Sequence, residues 1–264
     1  MATAARSLAL VTGASSGIGF ELAKHCAENG FDLVVCADEP TIQIAAQTFR
    51  DLGAMVLAVQ ADLATTEGVD TVLAEVEASG QPLEMVLANA GRGLGGGFLD
   101  QDFNGVKLLL DTNILGTLYL LHKVATVMRA RGRGRILITG SIAGFLPGAY
   151  QAVYNGTKAF LDSFSFALRN ELKDSGVTVT CLMPGATETE FFQRADMLDT
   201  PVGQDDDKAD PAEVARLGFE AMMKGDGEVI PGWQNKMRVA ISRILPGDMA
   251  AELHRKAAEP RQTH

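Results

Sequence analysis

The sequence has few of the residues that build metal centres, disulfide frameworks or membrane spans. It contains three cysteines and four histidines in 264 residues. None of them has a partner at metal-ligand spacing, so we expect no metal site. Cys26, Cys36 and Cys181 lie far apart, which is typical of small buried apolar side chains in a reducing compartment. No apolar run is long enough to cross a bilayer, so no transmembrane segment is expected.

Positive charge is also scarce. Lys and Arg together number 23 against 33 Asp and Glu, which gives a formal net charge of −10. An acidic surface repels nucleic acid, so nucleic-acid binding is excluded. The first six residues, Met1 to Arg6, run directly into a strand-like segment without the apolar stretch of a secretory signal. We therefore expect a cytoplasmic protein with one large α/β domain.

Short apolar runs alternate with helical patterns along the chain, which indicates βαβ units and a parallel sheet. The predicted strands are Leu8–Thr12, Leu33–Ala37, Val56–Ala61, Met85–Ala88, Arg135–Thr139, Val177–Leu182 and Gly227–Ile230. The predicted helices lie near 18–29, 41–52, 67–78, 103–131, 152–174 and 211–224. This order predicts an α/β fold, a Rossmann-like doubly wound three-layer sandwich with a mostly parallel seven-stranded sheet.

Two stretches interrupt the alternation. The segment from Thr187 to about Asp207 is a long loop of the kind that is usually functional or mobile. After residue 232, apolar residues recur at helical spacing, and residues 233–264 carry six Lys or Arg against three Asp or Glu. We assign 1–232 to a single nucleotide-binding catalytic domain. We favour packing of the amphipathic tail 233–264 on that domain or on a sister subunit. The alternatives are that it contacts a membrane surface or covers the substrate pocket.

A glycine-rich turn follows the first predicted strand and precedes a helix. Glycines let the backbone approach a pyrophosphate, and the helix N-terminus attracts its charge. The spacing differs from GxGxxG, but the strand–turn–helix context is the one that a dinucleotide site requires. The residues expected to bind the pyrophosphate are Gly13, Ser15, Ser16, Gly17, Ile18 and Gly19.

The ends of the next three predicted strands complete a nucleotide site. The second strand ends at Asp38, which suits ribose hydroxyls, and Glu39 adds a second carboxylate that would repel a 2′-phosphate. NAD is therefore favoured over NADP. Asp62, followed by Leu63, is placed to accept from the adenine amino group. The fourth strand leads into Asn89-Ala90-Gly91, where Asn89 either lines the cofactor groove or braces the backbone.

Tyr154 and Lys158 are four residues apart, so on a helix their polar ends share one face. A nearby ammonium favours the phenolate form of a tyrosine, whose ordinary pKa is about 10. Tyr154 could then exchange a proton with a substrate oxygen, and the Ser141 hydroxyl could hold that oxygen in place.

Taken in order, these motifs resemble those of the single-domain short-chain dehydrogenase/reductase family over about residues 7–232. The family's TGxxxGIG pattern matches Thr12 to Gly19, and its YxxxK pattern matches Tyr154 and Lys158. The remaining matches are Asn113 for the family's helix asparagine, Pro184-Gly185-Ala186-Thr187-Glu188-Thr189 for PGxxxT, and Ala88-Asn89-Ala90-Gly91 for NNAG with a departure at its first position.

The resemblance implies roles for these residues. Tyr154 would be the acid/base, and Lys158 would lower its pKa and hydrogen-bond the nicotinamide ribose. Ser141 would orient the substrate, and Asn113 would hold a water of a proton relay. The main chain of Thr187 and the side chain of Thr189, beside Pro184 and Gly185, would anchor the carboxamide. The resemblance also implies a homodimer or homotetramer formed through the helices at 103–131 and 152–174.

The expected function is hydride exchange between NAD(H) and a hydrophobic secondary alcohol or ketone. The apolar residues of the loops at the strand ends are expected to line the substrate pocket: Leu94, Phe98, Phe145, Leu146, Phe191, Phe192 and Met197. One alternative is an NADPH-dependent 3-oxoacyl-thioester reductase, which Asp38 and Glu39 oppose. Another is a catalytically silent nucleotide-binding sensor, which the intact set of Asn113, Ser141, Tyr154 and Lys158 opposes.

Overall fold

A computed structural model describes residues 6–261 and contains one parallel sheet with helices on both faces. The strands are β1 (Ser7–Thr12), β2 (Phe31–Ala37), β3 (Val56–Gln60), β4 (Leu83–Ala88), β5 (Gly134–Thr139), β6 (Val177–Leu182) and β7 (Glu228–Val229). They pair in the order β3-β2-β1-β4-β5-β6-β7, and every pairing is parallel. The predicted doubly wound seven-stranded architecture is confirmed.

Ten α-helices occur in the described part of the chain. They are α1 (Gly17–Glu28), α2 (Ile42–Asp51), α3 (Thr66–Ala78), α4 (Phe103–Leu110), α5 (Thr117–Arg131), α6 (Ala152–Glu171), α7 (Phe191–Arg194), α8 (Pro211–Lys224), α9 (Trp233–Ser242) and α10 (Gly247–Ala258). Within residues 6–261, no helix is long and apolar enough to cross a membrane.

The alternation of side chains along the strands divides the core into two layers. Ala9 and Val11 of β1 pack with α1, α2 and α8 on one face of the sheet. Leu8 and Leu10 of the same strand pack with α3, α5 and α6 on the other face. Successive strand residues point to opposite faces, and helices cover both faces, so the strands read as continuous apolar runs. The site therefore forms at the carboxyl edge, where the strand order reverses between β1 and β4.

The predicted helix at 103–131 is interrupted. A π-helical turn, Asp111–Gly116, separates α4 from α5. A Cβ at Gly116 would overlap the Leu63 carbonyl oxygen, so the turn lies directly against the end of the β3 segment. A π-turn adds a residue to the helical repeat and redirects the side chains that follow, here burying Asn113 at the sheet edge.

The long loop is more ordered than the sequence predicts, and the tail is helical as its apolar spacing indicates. The loop contains α7, and Thr187 forms a β-bridge with Ala209. The tail forms two helices, separated where Pro246 breaks the helical pattern. It packs on the chain's own loops: the Tyr150 hydroxyl donates to Glu259 at 2.7 Å, and the Val202 N–H donates to the Ala257 carbonyl at 3.0 Å.

Candidate active site

The glycine turn between β1 and α1 has the shape of a phosphate cradle. A Cβ at Gly19 would overlap the Gly13 carbonyl oxygen, so the backbone can close this tightly only with glycine. Ser16 precedes the first residue of α1, and its side chain does not cap the helix. The N–H groups of the first helical turn are therefore free of a side-chain cap and face the cavity, which suits a pyrophosphate.

Asn89 braces three strand ends. Its Nδ2 donates to the Thr12 carbonyl at 3.2 Å, and its Oδ1 accepts from the Thr139 hydroxyl at 3.2 Å. The N–H groups of Asn89 and Ala90 both donate to the Thr12 hydroxyl at 3.0 Å. These bonds tie the ends of β1, β4 and β5 together, so the Asn89 side chain braces the backbone, and the residue also lines the cavity.

Two arginines contact the carboxylates after β2. Arg92, which follows β4, reaches across the end of β1 and pairs with Asp38. Arg194 of α7 pairs with both Glu39 and Glu190. No local sequence pattern indicates these ion pairs, because Arg92 and Asp38 are more than 50 residues apart and Arg194 and Glu39 more than 150.

Asn113 lies in the π-turn and is 1% exposed. Its Oδ1 accepts from the Arg92 N–H at 2.7 Å. Its Nδ2 donates to the Arg92 carbonyl at 2.9 Å and to the Thr157 hydroxyl at 3.1 Å. Both donors of the amide are thus engaged by protein groups. The side chain holds the segment after Gly91 against α6. That Asn113 also holds a water of a proton relay stays a prediction.

Tyr154, Lys158 and Ser141 come together beside the end of β5. Tyr154 and Lys158 lie on the first turns of α6, as their spacing predicts, and Ser141 directly follows the strand. The Lys158 ammonium donates to the Thr139 carbonyl at 2.8 Å and lies 5.8 Å from the centroid of the Tyr154 ring. The Ser141 hydroxyl accepts from the Ala143 N–H at 3.1 Å and donates to the Pro184 carbonyl at 3.3 Å.

Burial is the largest influence on the pKa values of Tyr154 and Lys158. Burial raises the pKa of Tyr154 well above its ordinary value, and the Ser141 hydroxyl offsets only part of that rise. The lowering of the tyrosine pKa by Lys158 that the family resemblance implies stays a prediction, and removal from water opposes it. Burial also lowers the pKa of Lys158 to about 8, against the opposing attraction of Asp162. Tyr154 is therefore a neutral phenol at neutral pH.

The segment after β6 passes over the glycine turn. The Thr187 hydroxyl donates to the Gly185 carbonyl at 3.0 Å, and the Thr189 hydroxyl donates to the Thr187 carbonyl at 3.4 Å. A Cβ on Gly17 would lie 2.9 Å from the methyl group of Thr189, so this segment touches the start of α1. The Pro184 carbonyl accepts from the Ser141 hydroxyl, which places this segment next to Ser141.

One cavity of about 800 Å³ connects these groups. All the site residues predicted from the sequence line it except Gly19 and Asn113, which act from just behind its wall. Of the predicted substrate-pocket residues, Leu94, Leu146, Phe191 and Phe192 line the cavity.

The other three predicted pocket residues lie elsewhere. Phe98 is half exposed, Met197 is buried against Phe192, and the Phe145 ring stacks on the Arg243 guanidinium. The far wall comes instead from the tail, where the lining residues include Val239, Leu245, Leu253, His254 and Ala257. The sequence predicts that the tail packs on the domain, but its helical spacing does not indicate which tail residues line the cavity.

Comparison with known proteins identifies the family of this chain. The family model for short chain dehydrogenase matches residues 7–197. An uncharacterized oxidoreductase of Myxococcus xanthus is 30% identical over 255 residues, which cover 94% of this chain and 96% of that protein.

Two solved structures share the fold over nearly the whole chain. A short-chain dehydrogenase from Sphingobium yanoikuyae in complex with NADPH is 29% identical, with a TM-score of 0.81 and 98% of each chain covered. A bulky-bulky ketone specific alcohol dehydrogenase from Comamonas testosteroni is 26% identical, with a TM-score of 0.76, and covers 98% of this chain and 96% of its own. By its family-model match, its relatives and its fold, the chain belongs to the short-chain dehydrogenase family of oxidoreductases.

Proposed function

We propose that this chain interconverts hydrophobic secondary alcohols and ketones with NAD(H), and that Tyr154 is the acid/base. The observation that carries the proposal is the position of Tyr154 and Ser141 on the wall of the cavity that also contains the glycine turn. When bound, a nicotinamide dinucleotide supplies or accepts the hydride. The family membership supports the reaction class, and the substrate and cofactor choice rest on the cavity itself.

In ketone reduction, the Ser141 hydroxyl holds the substrate oxygen and the Tyr154 phenol donates its proton to that oxygen. The carbonyl becomes an alcohol, and the tyrosine is left as a phenolate. The Lys158 ammonium, 5.8 Å from the ring centroid, stabilises that negative charge in a site with little water. Alcohol oxidation is the reverse, with the phenolate taking the hydroxyl proton. A buried neutral phenol favours reduction at neutral pH, and oxidation gains as the pH rises.

The substrate end of the cavity supports an apolar substrate. Phe191 packs on the Tyr154 ring at 5.2 Å between centroids, and Leu146 follows the Ser141 turn. Leu245 and Leu253 of the tail close the opposite side. Apolar walls with a few convergent polar groups recognise ligands by shape and burial, and orient them by hydrogen bonds at the reacting oxygen.

Tyr154→Phe tests the acid/base assignment. The ring and its packing stay, but the proton is lost, so turnover of any ketone reduced by the wild type should fall by on the order of 10² to 10⁴. Binding of NADH, followed by its fluorescence, should stay within about twofold. Tyr119→Phe is the matched control, because its hydroxyl bonds Asp70 on α3, away from the cavity. Turnover of Tyr154→Phe at the wild-type rate would contradict the proposed mechanism.

The charges near Asp38 support NAD as the cofactor. Three carboxylates, those of Asp38, Glu39 and Glu190, face two guanidinium groups, those of Arg92 and Arg194. The cluster keeps a net negative charge, which opposes a 2′-phosphate and leaves a carboxylate for the ribose hydroxyls. A second candidate is NADPH. It is favoured by the reach of Arg92 to this position and by the NADPH bound to the Sphingobium relative.

Titration with NADH and with NADPH separates these candidates. We expect NADH to bind at least tenfold more tightly, which corresponds to about 1.4 kcal/mol. Asp38→Asn should shrink that ratio, because it removes one repelling charge, whereas Asp51→Asn on the exposed side of α2 should leave it unchanged. If the wild type binds NADPH more tightly than NADH, and Arg92→Ala loses that tighter binding of NADPH, the cofactor is NADPH instead.

We also propose a homodimer or homotetramer formed through α4, α5 and α6. Exposed large apolar side chains recur on these helices, including Phe103 at 69%, and Phe160 and Phe166 at 41% each. Apolar side chains in such numbers on neighbouring helices are typical of an interface between copies.

Sedimentation velocity measures the assembly directly. The wild type should sediment as a dimer or tetramer, and the double variant Phe103→Glu/Phe160→Glu should shift toward monomer, because two charges would be buried at the interface. Ile44→Glu on α2, a site that is 74% exposed, is the control and should leave the assembly intact. A monomeric wild type at micromolar concentration would contradict the proposal.

A further inference from the structure

The most unusual group outside the expected machinery is a buried carboxylate. Asp162 lies one helical turn after Lys158 on α6 and is 5% exposed. Its Oδ1 accepts from the Ser141 N–H at 3.3 Å and from the Cys181 thiol of β6 at 3.6 Å. Its Oδ2 is buried without a hydrogen-bond partner in residues 6–261. A buried carboxylate with an unpaired oxygen costs free energy, and the fold keeps this one beside Ser141 and Lys158.

The segment after β5 is shaped around this carboxylate. A Cβ at Gly140 would overlap Asp162 Oδ1, and a Cβ at Gly144 would overlap Oδ2. The backbone on both sides of Ser141 therefore closes on the Asp162 side chain. This contact sets where the Ser141 main chain lies, and with it the hydroxyl that is expected to hold the substrate oxygen.

The same carboxylate acts on Lys158 through charge. Lys158 makes its hydrogen bond to the Thr139 carbonyl, and the attraction of Asp162 raises the lysine pKa against the larger effect of burial. In turn, burial raises the pKa of Asp162 to about 6, and Lys158 opposes that rise. Both side chains are then charged mainly between pH 6 and pH 8.

The other groups around Asp162 do not replace it as a counter-charge. The Cys181 thiol has its pKa raised to about 12 by burial, so it stays neutral, and Ser165 and Ser141 contribute only dipoles. Glu228 of β7 is a second acid that acts at longer range and raises the Asp162 pKa. Tyr154 is a neutral phenol, because burial raises its pKa. Among the carboxylates of the described part of the chain, Asp162 is thus the one whose charge acts on the Lys158 ammonium.

We propose that Asp162 is a positioning residue, which anchors the Ser141 main chain through a hydrogen bond and is the counter-charge of Lys158 one helical turn away. It touches neither substrate nor cofactor. The proposal rests on the proposed function, because it acts through Ser141 and Lys158. Asp162 has two separate effects. It accepts a hydrogen bond, which an amide side chain can also accept, and it carries a negative charge, which an amide lacks.

The test compares Asp162→Asn and Asp162→Ala by NADH binding between pH 5.5 and 9.5, with NADH fluorescence as the readout. In the wild type, NADH affinity should fall with rising pH as Lys158 loses its proton near pH 8. This fall is the alkaline limb of the pH profile. Asp162→Asn removes the attraction, so this limb should move to lower pH by about one unit while binding at pH 6 stays within about threefold. Asp70→Asn, on the exposed face of α3, is the matched control and should not move the limb.

Turnover with a ketone that the wild type reduces supplies the second readout. At pH 6.5, Asp162→Asn should keep kcat within about tenfold of the wild type. Asp162→Ala, which also loses the Ser141 hydrogen bond, should lower kcat further and by more than it changes KM for the ketone. Thermal melting of both variants identifies any loss of folding.

The outcomes distinguish the two proposals. An unshifted pH limb in a folded Asp162→Asn variant, or equal kcat values for the Asn and Ala variants, would overturn the role of Asp162. Tyr154→Phe is measured alongside. If that variant turns over normally, the proposed function fails, whereas if it is inactive and Asp162→Asn is unchanged, only the Asp162 proposal fails.

Discussion

The hydrogen bond from the buried Lys158 ammonium to the Thr139 carbonyl connects the fold of this protein to its chemistry. It joins α6 to the carboxyl end of β5, and it places a positive charge where water is largely excluded. A lone ammonium in that position would lose its proton, and burial indeed lowers its pKa to about 8. The neighbouring groups, Asp162 above all, keep the lysine charged in the neutral range.

The rest of the site depends on that anchor. Thr139, whose carbonyl accepts from Lys158, also donates its hydroxyl to Asn89, and Asn89 in turn holds the end of β1. A single hydrogen-bonded chain therefore runs from the ammonium, through β5 and β4, to the glycine turn. This rigidity fits a site in which the nucleotide and the proton donor must be placed together, because an error of about 1 Å is costly in catalysis.

The sequence predicts much of this arrangement because its strongest signals are local. Buried parallel strands read as apolar runs, the glycine turn directly follows β1, and Tyr154 and Lys158 are related by one helical turn. What it could not predict depends on contacts between distant segments. The π-turn is fitted against Leu63, and Arg92 meets Asp38 only because β1 lies between β4 and β2. The direction of the Tyr154 pKa shift also depends on burial, which the spacing of residues in the sequence does not indicate.

The central claim is that burial holds Tyr154 as a neutral phenol, ready to donate its proton. Ultraviolet difference titration tests it directly, since the chain has three tyrosines and phenolate absorbs near 295 nm. Subtracting the titration of Tyr154→Phe from that of the wild type isolates one residue. The account predicts no phenolate from Tyr154 below about pH 10, the ordinary tyrosine value. A tyrosine that ionises below pH 9 in the wild type and is missing in the variant would contradict it.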